Sequence, residues 1–141
     1  MIKALPDKYI RKAIYDAVNG IVVDGETILC YDTRVTGKPN DNYIILATQN
    51  NEVIKSNKCE YHWRSSILID IVTRYKLSGN TGSRLLADNI LDKVRELTNS
   101  LTLEGGFDII HQTQSFPNDL QSETRSELIY RKFIRIEFLI N

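Results

Sequence analysis

Between Glu60 and Tyr75 the chain reads EYHWRSSILIDIVTRY. Taking every second residue from Tyr61 gives Tyr, Trp, Ser, Ile, Ile, Ile, Thr, Tyr; the other set is His, Arg, Ser, Leu, Asp, Val, Arg. Successive side chains of a strand point to opposite faces, so the run predicts one long strand over Glu60 to Arg74. One face, with Trp63, Ile67, Ile69 and Ile71, is apolar. The other, with His62, Arg64, Ser66, Asp70 and Arg74, is half charged. A strand of this kind belongs in a sheet covered on one side only.

The cover is predicted by two amphipathic segments. Pro6 suits a first helical turn, where its missing N–H has no partner to lose. Ile10, Ala13, Ile14, Ala17 and Val18 follow as one stripe, and Asn19-Gly20 stops it. The second helix spans about Thr81 to Leu97 or Asn99, with Leu85, Leu86, Ile90, Val94 and Leu97 inward and Asn80, Thr81 or Ser83 as cap. Further strands are predicted at IVV and TILCYDTRV around the Asp24-Gly25 turn, at Tyr43–Gln49, at EGGFDIIHQTQSF and at LIYRKFIRIEFLI. The stretches TGKPNDN and Pro117–Glu127 read as polar loops, and Asn50–Cys59 as a loop or the outer end of a hairpin. Short polar turns between strands imply hairpins. The expected fold is therefore α+β: a mostly antiparallel sheet with both helices packed on one face.

A chain of 141 residues has single-domain length, so residues 1–141 are read as one domain able to bury a core without metal or disulfides. Eighteen Lys and Arg balance eighteen Asp and Glu, which removes any global field toward DNA or an anionic membrane. Cys30 and Cys59 have no metal-ligand spacing and suggest reduced thiols in a cytosol-like compartment. No signal peptide is expected at the N-terminus, and no apolar run approaches the roughly 20 residues of a membrane helix.

The last strand alternates less cleanly. Tyr130, Ile134, Ile136, Phe138 and Ile140 form its apolar set. The other set mixes Ile129, Phe133 and Leu139 with Arg131, Arg135 and Glu137. Large apolar groups interleaved with arginines suit a polar-rimmed protein interface; the alternative is that the chain's own long loops cover Phe133 and Leu139. Asp70 is the one acid placed to serve a metal-dependent nuclease, but that chemistry needs further acids or a lysine converging on the ion. The competing reading pairs Asp70 with Arg64, Arg74 or an arginine of the last strand, a contribution of about 0.2–1 kcal/mol. His62 and His111 sit in no recognised catalytic spacing. SGNTGS lacks the lysine and spacing of a phosphate-binding loop and reads as a helix cap. YHWRSS interleaves aromatic and basic residues as a single-strand platform would, yet it sends Tyr61 and Trp63 to the core face.

The layout resembles that of tail-terminator or tail-completion proteins of tailed bacteriophages. The resemblance spans about Lys8 to Asn141 and rests on pattern: a helix ending near AVNG, the extended LCYDTRV, the strand in PNDNYIILAT, the long SSILIDIVTRY, the helix in GNTGSRLLADNILDKVRELTNSL, then FDIIHQTQSF and ETRSELIYRKFIRIEF. It implies a structural virion protein, not an enzyme, assembled in the host cytoplasm without cofactor or metal. Copies would form a homo-oligomeric ring, of six or twelve, at the head–tail junction or tail end. Neighbouring connector or tail proteins would be its partners, with DNA passing through unread and no membrane involved. The expected interface residues are Asn51, Glu52, Lys55, Arg64, Asp70, Asn118, Asp119, Arg125, Arg131, Phe133 and Arg135. A small nuclease using Asp70 and a single-stranded nucleic-acid-binding module are the alternatives.

Overall fold

The computed structural model describes residues 5–33, 35, 41–55, 61–77 and 84–141, apart from the side chains at 55 and 61. Two helices and seven strands follow in the order α1 (Asp7–Val18), β1 (Ile21–Val23), β2 (Glu26–Asp32), β3 (Asn42–Lys55), β4 (Tyr61–Lys76), α2 (Leu85–Thr98), β5 (Ile109–Ser115), β6 (Leu120–Glu123) and β7 (Glu127–Ile140). The sheet runs β1-β2-β3-β4-β7-β5, with β6 also paired to β7. All pairings are antiparallel except β2 with β3, so the α+β architecture is as the alternation predicts.

Helix α1 forms because Ile10, Ile14 and Val18 recur every fourth residue, and all three are fully buried. It ends where Gly20 takes a positive φ of 77° and donates its N–H to Ile28 O at 2.8 Å. Helix α2 buries Ala87, Ile90, Val94 and Thr98. Leu85, expected on that stripe, is instead exposed, one step off the buried face. Helix α2 starts after Arg84 with no side-chain cap; the expected caps Asn80, Thr81 and Ser83 lie outside the described residues.

The core lies between the helices and one face of the sheet. Ile67, Ile69 and Ile71 of β4 meet Ile134, Ile136, Phe138 and Ile140 of β7 there, with Ile44 and Leu46 of β3 and Ile28 and Cys30 of β2. Trp63 packs at the margin. At the far end the Tyr9 ring lies 5.6 Å from that of Phe107 and covers Gly105, whose φ is +76°.

Of the two readings of the stretch after Gln49, the outer end of a hairpin holds for its described residues, and part of the Pro117–Glu127 segment expected as a loop is strand. Through Lys55, the residues after Gln49 continue β3 and pair with Tyr61–Ser66 of β4; residues 56–60 lie outside the described set. A bulge between Leu46 and Gln49 resets the alternation, so that even positions face the helices before it and odd positions after it. Within Pro117–Glu127, Leu120–Glu123 forms β6. β5 pairs with residues 135–140 of β7 and β6 with 128–131, so the two run end to end along the same side of β7.

Candidate interaction surface

The register fixes which side chains stand on the face without helices. Row by row from β3 to β7 these are Glu52, Arg64 and Leu139; Asn50, Ser66 and Glu137; Ile45, Asp70 and Phe133; and Tyr43, Val72 and Arg131. Leu68 stands opposite Arg135, beside the bulge, and Arg74 opposite Ile129.

Most charges on this face are answered within it. Arg131 Nη1 donates to Asp70 Oδ2 at 2.9 Å. Arg74 Nε donates to Glu127 Oε2 at 2.7 Å, with Nη2 on the same oxygen. Arg64 lies 3.9 Å from Glu52. Arg135 is exposed and has no hydrogen-bond or ion-pair partner among the described residues. The Asp70 side chain is only 7% exposed, and its Oδ1 has no hydrogen-bond partner among the described residues. Burial raises its carboxyl above the ordinary range, and Arg131 pulls in the opposite direction without cancelling the effect. Phe133, opposite Asp70, is half-buried.

The remaining expected interface residues lie elsewhere. Asn51 points to the helix side: its Nδ2 donates to Asp7 Oδ1 at 2.8 Å, and its Oδ1 accepts from Ser65 Oγ at 2.7 Å. Lys55 ends β3. Asn118 and Asp119 occupy the break between β5 and β6, where a notch of about 170 Å³ is also lined by Phe116, Lys132 and Phe133. Asp119 lies 3.9 Å from Lys132 and 3.8 Å from Arg84. Arg125 is exposed in the turn between β6 and β7. Phe116 and Leu120, which fall within the stretch Phe116–Arg125 that the sequence offers as a contact segment, stand 49% and 58% exposed at this break. Their signal was present, as two large apolar residues inside an otherwise polar stretch.

Among the described residues no group of three or more His, Cys, Asp or Glu side chains gathers as a metal site requires, and Asp70 faces an arginine, not a second acid. No described helix is long and apolar enough to cross a membrane.

No family model matches the chain, and no curated protein matches it. Among solved structures, a chain of the "Virion of native gene transfer agent (GTA) particle" is similar to it, with a TM-score of 0.63 at 13% identity. The superposition covers 97% of this chain and 99% of that one. At this identity the likeness is one of fold.

Proposed function

We propose that this chain is a structural protein of a phage-like virion, without enzymatic activity. It forms a homo-oligomeric ring at the head–tail junction or tail end, in the manner of tail-terminator and tail-completion proteins. The observation that carries the reading is the extent of the likeness to the gene-transfer-agent chain: nearly all of both chains takes part, not a shared substructure. The helix-free face supports it. Phe133, Leu139, Ile129 and Ile45 alternate there with arginines, the composition of a polar-rimmed interface. The chain's eighteen Lys and Arg balance its eighteen Asp and Glu, which is compatible with a conduit through which DNA slides, since each phosphate neutralised would add grip. The partners are copies of the chain and the adjoining connector or tail proteins, and assembly takes place in the host cytoplasm.

Light scattering coupled to size exclusion tests the ring, and negative-stain images of particles carrying the tagged chain test its position. The expected results are concentration-dependent multimers and label at the junction. Phe133→Ser probes the face without setting a new charge opposite Asp70; the variant is expected to stay folded and lose assembly. A persistent monomer that cleaves nucleic acid when given a divalent metal refutes the reading.

A further inference from the structure

We infer that two copies of the chain pair edge to edge through β5, antiparallel across a two-fold axis at Thr113. A ring holds its copies head to tail, so this contact is separate from the ring's own joint and covers the β5 edge of chains outside a ring.

β5 and β6 form the outermost column of the sheet on their side, and among the described residues β5 pairs only with β7. The column that a second β5 and β6 would fill therefore holds no described strand. An unpaired edge is a template for another strand, and proteins that must stay apart blunt it with Lys, Pro or inward charge. β5, IIHQTQS, carries no lysine, proline or acid. Gln112 Nε2 donates to Thr98 O at 2.7 Å and Gln114 Nε2 to Arg95 O at 3.5 Å, which ties the strand to the end of α2. Large exposed apolar residues flank this polar run: Ile110 at 51% and Phe116 at 49%.

The phase of the ladder shows which main-chain groups face out. Asp108 and Asn141 exchange both of their main-chain bonds, at 3.1 and 2.9 Å. Such bonded pairs alternate along an antiparallel ladder, so Leu139, Glu137 and Arg135 of β7 also turn toward β5. Their partners His111, Thr113 and Ser115 turn inward, past the bulge at Ile110. Gln112 and Gln114 therefore point their N–H and C=O groups outward.

Register selects a second copy as the occupant. A two-fold axis at Gln112, Thr113 or Gln114 brings outward groups together in bonded pairs. Of these three, the axis at Thr113 alone also sets Ile110 level with Phe116 of the other copy, twice over. It places Gln112 opposite Gln114, His111 opposite Ser115 and Thr113 opposite itself, so no charged side chain of β5 meets its like. That self-complementarity is what an isologous contact demands, and Thr–Thr pairs are favourable across strands. The axis stands perpendicular to the sheet and keeps both helical layers on one face. α2 lies over β4 and β7, so its two copies stand at least three inter-strand steps apart, roughly 14 Å, clear of the 8–10 Å of packed helices. Each copy leaves open there a space of about 400 Å³ lined by Asp92, Arg95, Glu96, Asn99 and Gln114.

The test is Thr113→Cys, at an exposed position, in a Cys59→Ser background; Cys30 is buried. Across the axis the two copies of residue 113 form a non-bonded pair with Cα atoms about 4.5 Å apart, within disulfide range. Mild oxidation should convert the variant almost wholly to a covalent dimer, with nothing larger, lost on reduction. Ser115→Cys alone should stay monomeric, since its two copies lie roughly 14 Å apart. Ser115→Cys with His111→Cys should restore the dimer. Thr113→Lys and Thr113→Glu should each lose the dimer in light scattering, and an equal mixture of the two should regain it. Thr113→Cys that cross-links no better than Ser115→Cys, or a Lys and Glu mixture that does not pair, overturns the contact. If light scattering of the parent then still finds multimers, the ring stands without it.

Discussion

Replacing Arg131 by Met isolates the one buried acid on the helix-free face. Among the described residues Asp70 Oδ2 has only the Arg131 guanidinium, at 2.9 Å, and Oδ1 has no partner. Without Arg131 a carboxylate just 7% exposed is left unanswered. Stranding a fully buried charge costs about 3–5 kcal/mol. Arg131 is itself 41% exposed and solvent already screens the pair, so the low end applies, about 2–3 kcal/mol near neutral pH. Protonation offers an escape, because the carboxyl is already raised by burial and loses its only opposing cation. In the window between the unfolded and folded values the native state binds more protons than the unfolded chain, so stability falls as pH rises. The deficit of Arg131→Met relative to the parent should therefore be small near about pH 4 and grow toward neutrality. It grows by about 1.4 kcal/mol per pH unit wherever the variant's folded carboxyl still holds a proton that the parent's has lost. Urea unfolding of both proteins, followed by the fluorescence of Trp63, the only tryptophan, measures it. Asp70→Asn added to Arg131→Met should flatten the pH dependence. A deficit that does not change with pH, or one below about 0.5 kcal/mol near neutrality, refutes the argument.

Other outcomes follow from the core and its margins. Gly105→Ala puts a Cβ 2.6 Å from the Tyr9 ring at a φ of +76°, so thermal unfolding should show a loss of about 1–3 kcal/mol. Burial, helped by Asp32, pushes the Cys30 thiol up to about 12, so peptide mapping after iodoacetamide treatment at mildly alkaline pH should find it unmodified in the native protein and modified in urea. Ile136→Ala, at a fully buried site in β7, should cost about 2–5 kcal/mol in chemical denaturation, far more than Arg135→Ala beside it on the exposed side.

The long two-faced strand was legible because its period survives intact. Ile67, Ile69 and Ile71 fill the core as the alternation requires, and Ile134, Ile136, Phe138 and Ile140 do the same from β7. The outer half of β3 was hidden by the bulge. Two strand halves of opposite phase look like a strand followed by a polar loop, and Gln49 and Asn51 disguise their inward direction by bonding to Asp7. β6 was hidden by composition, since all four of its residues are exposed and only pairing with β7 makes them a strand. The parallel β2–β3 pair leaves no local signature, because direction is set by the path of the chain and not by side-chain type. On the candidate surface, the choice of Arg131 as the partner of Asp70 depended on a register that no single strand contains. For Asn51 no residue type in the sequence told which side of the hairpin it takes; its bonds to Asp7 and Ser65 tie it to the covered side.

The irregularity in β3 also bears on how the chain can change in length. Three steps from Leu46 to Gln49 answer two from Ile69 to Ile67, so one of Ala47 and Thr48 is surplus to the ladder. Losing one residue there straightens the strand and keeps every neighbour on its own side. Losing one anywhere else along β3 turns the remainder inside out. Single-codon deletions in related chains should therefore concentrate at this point of the strand.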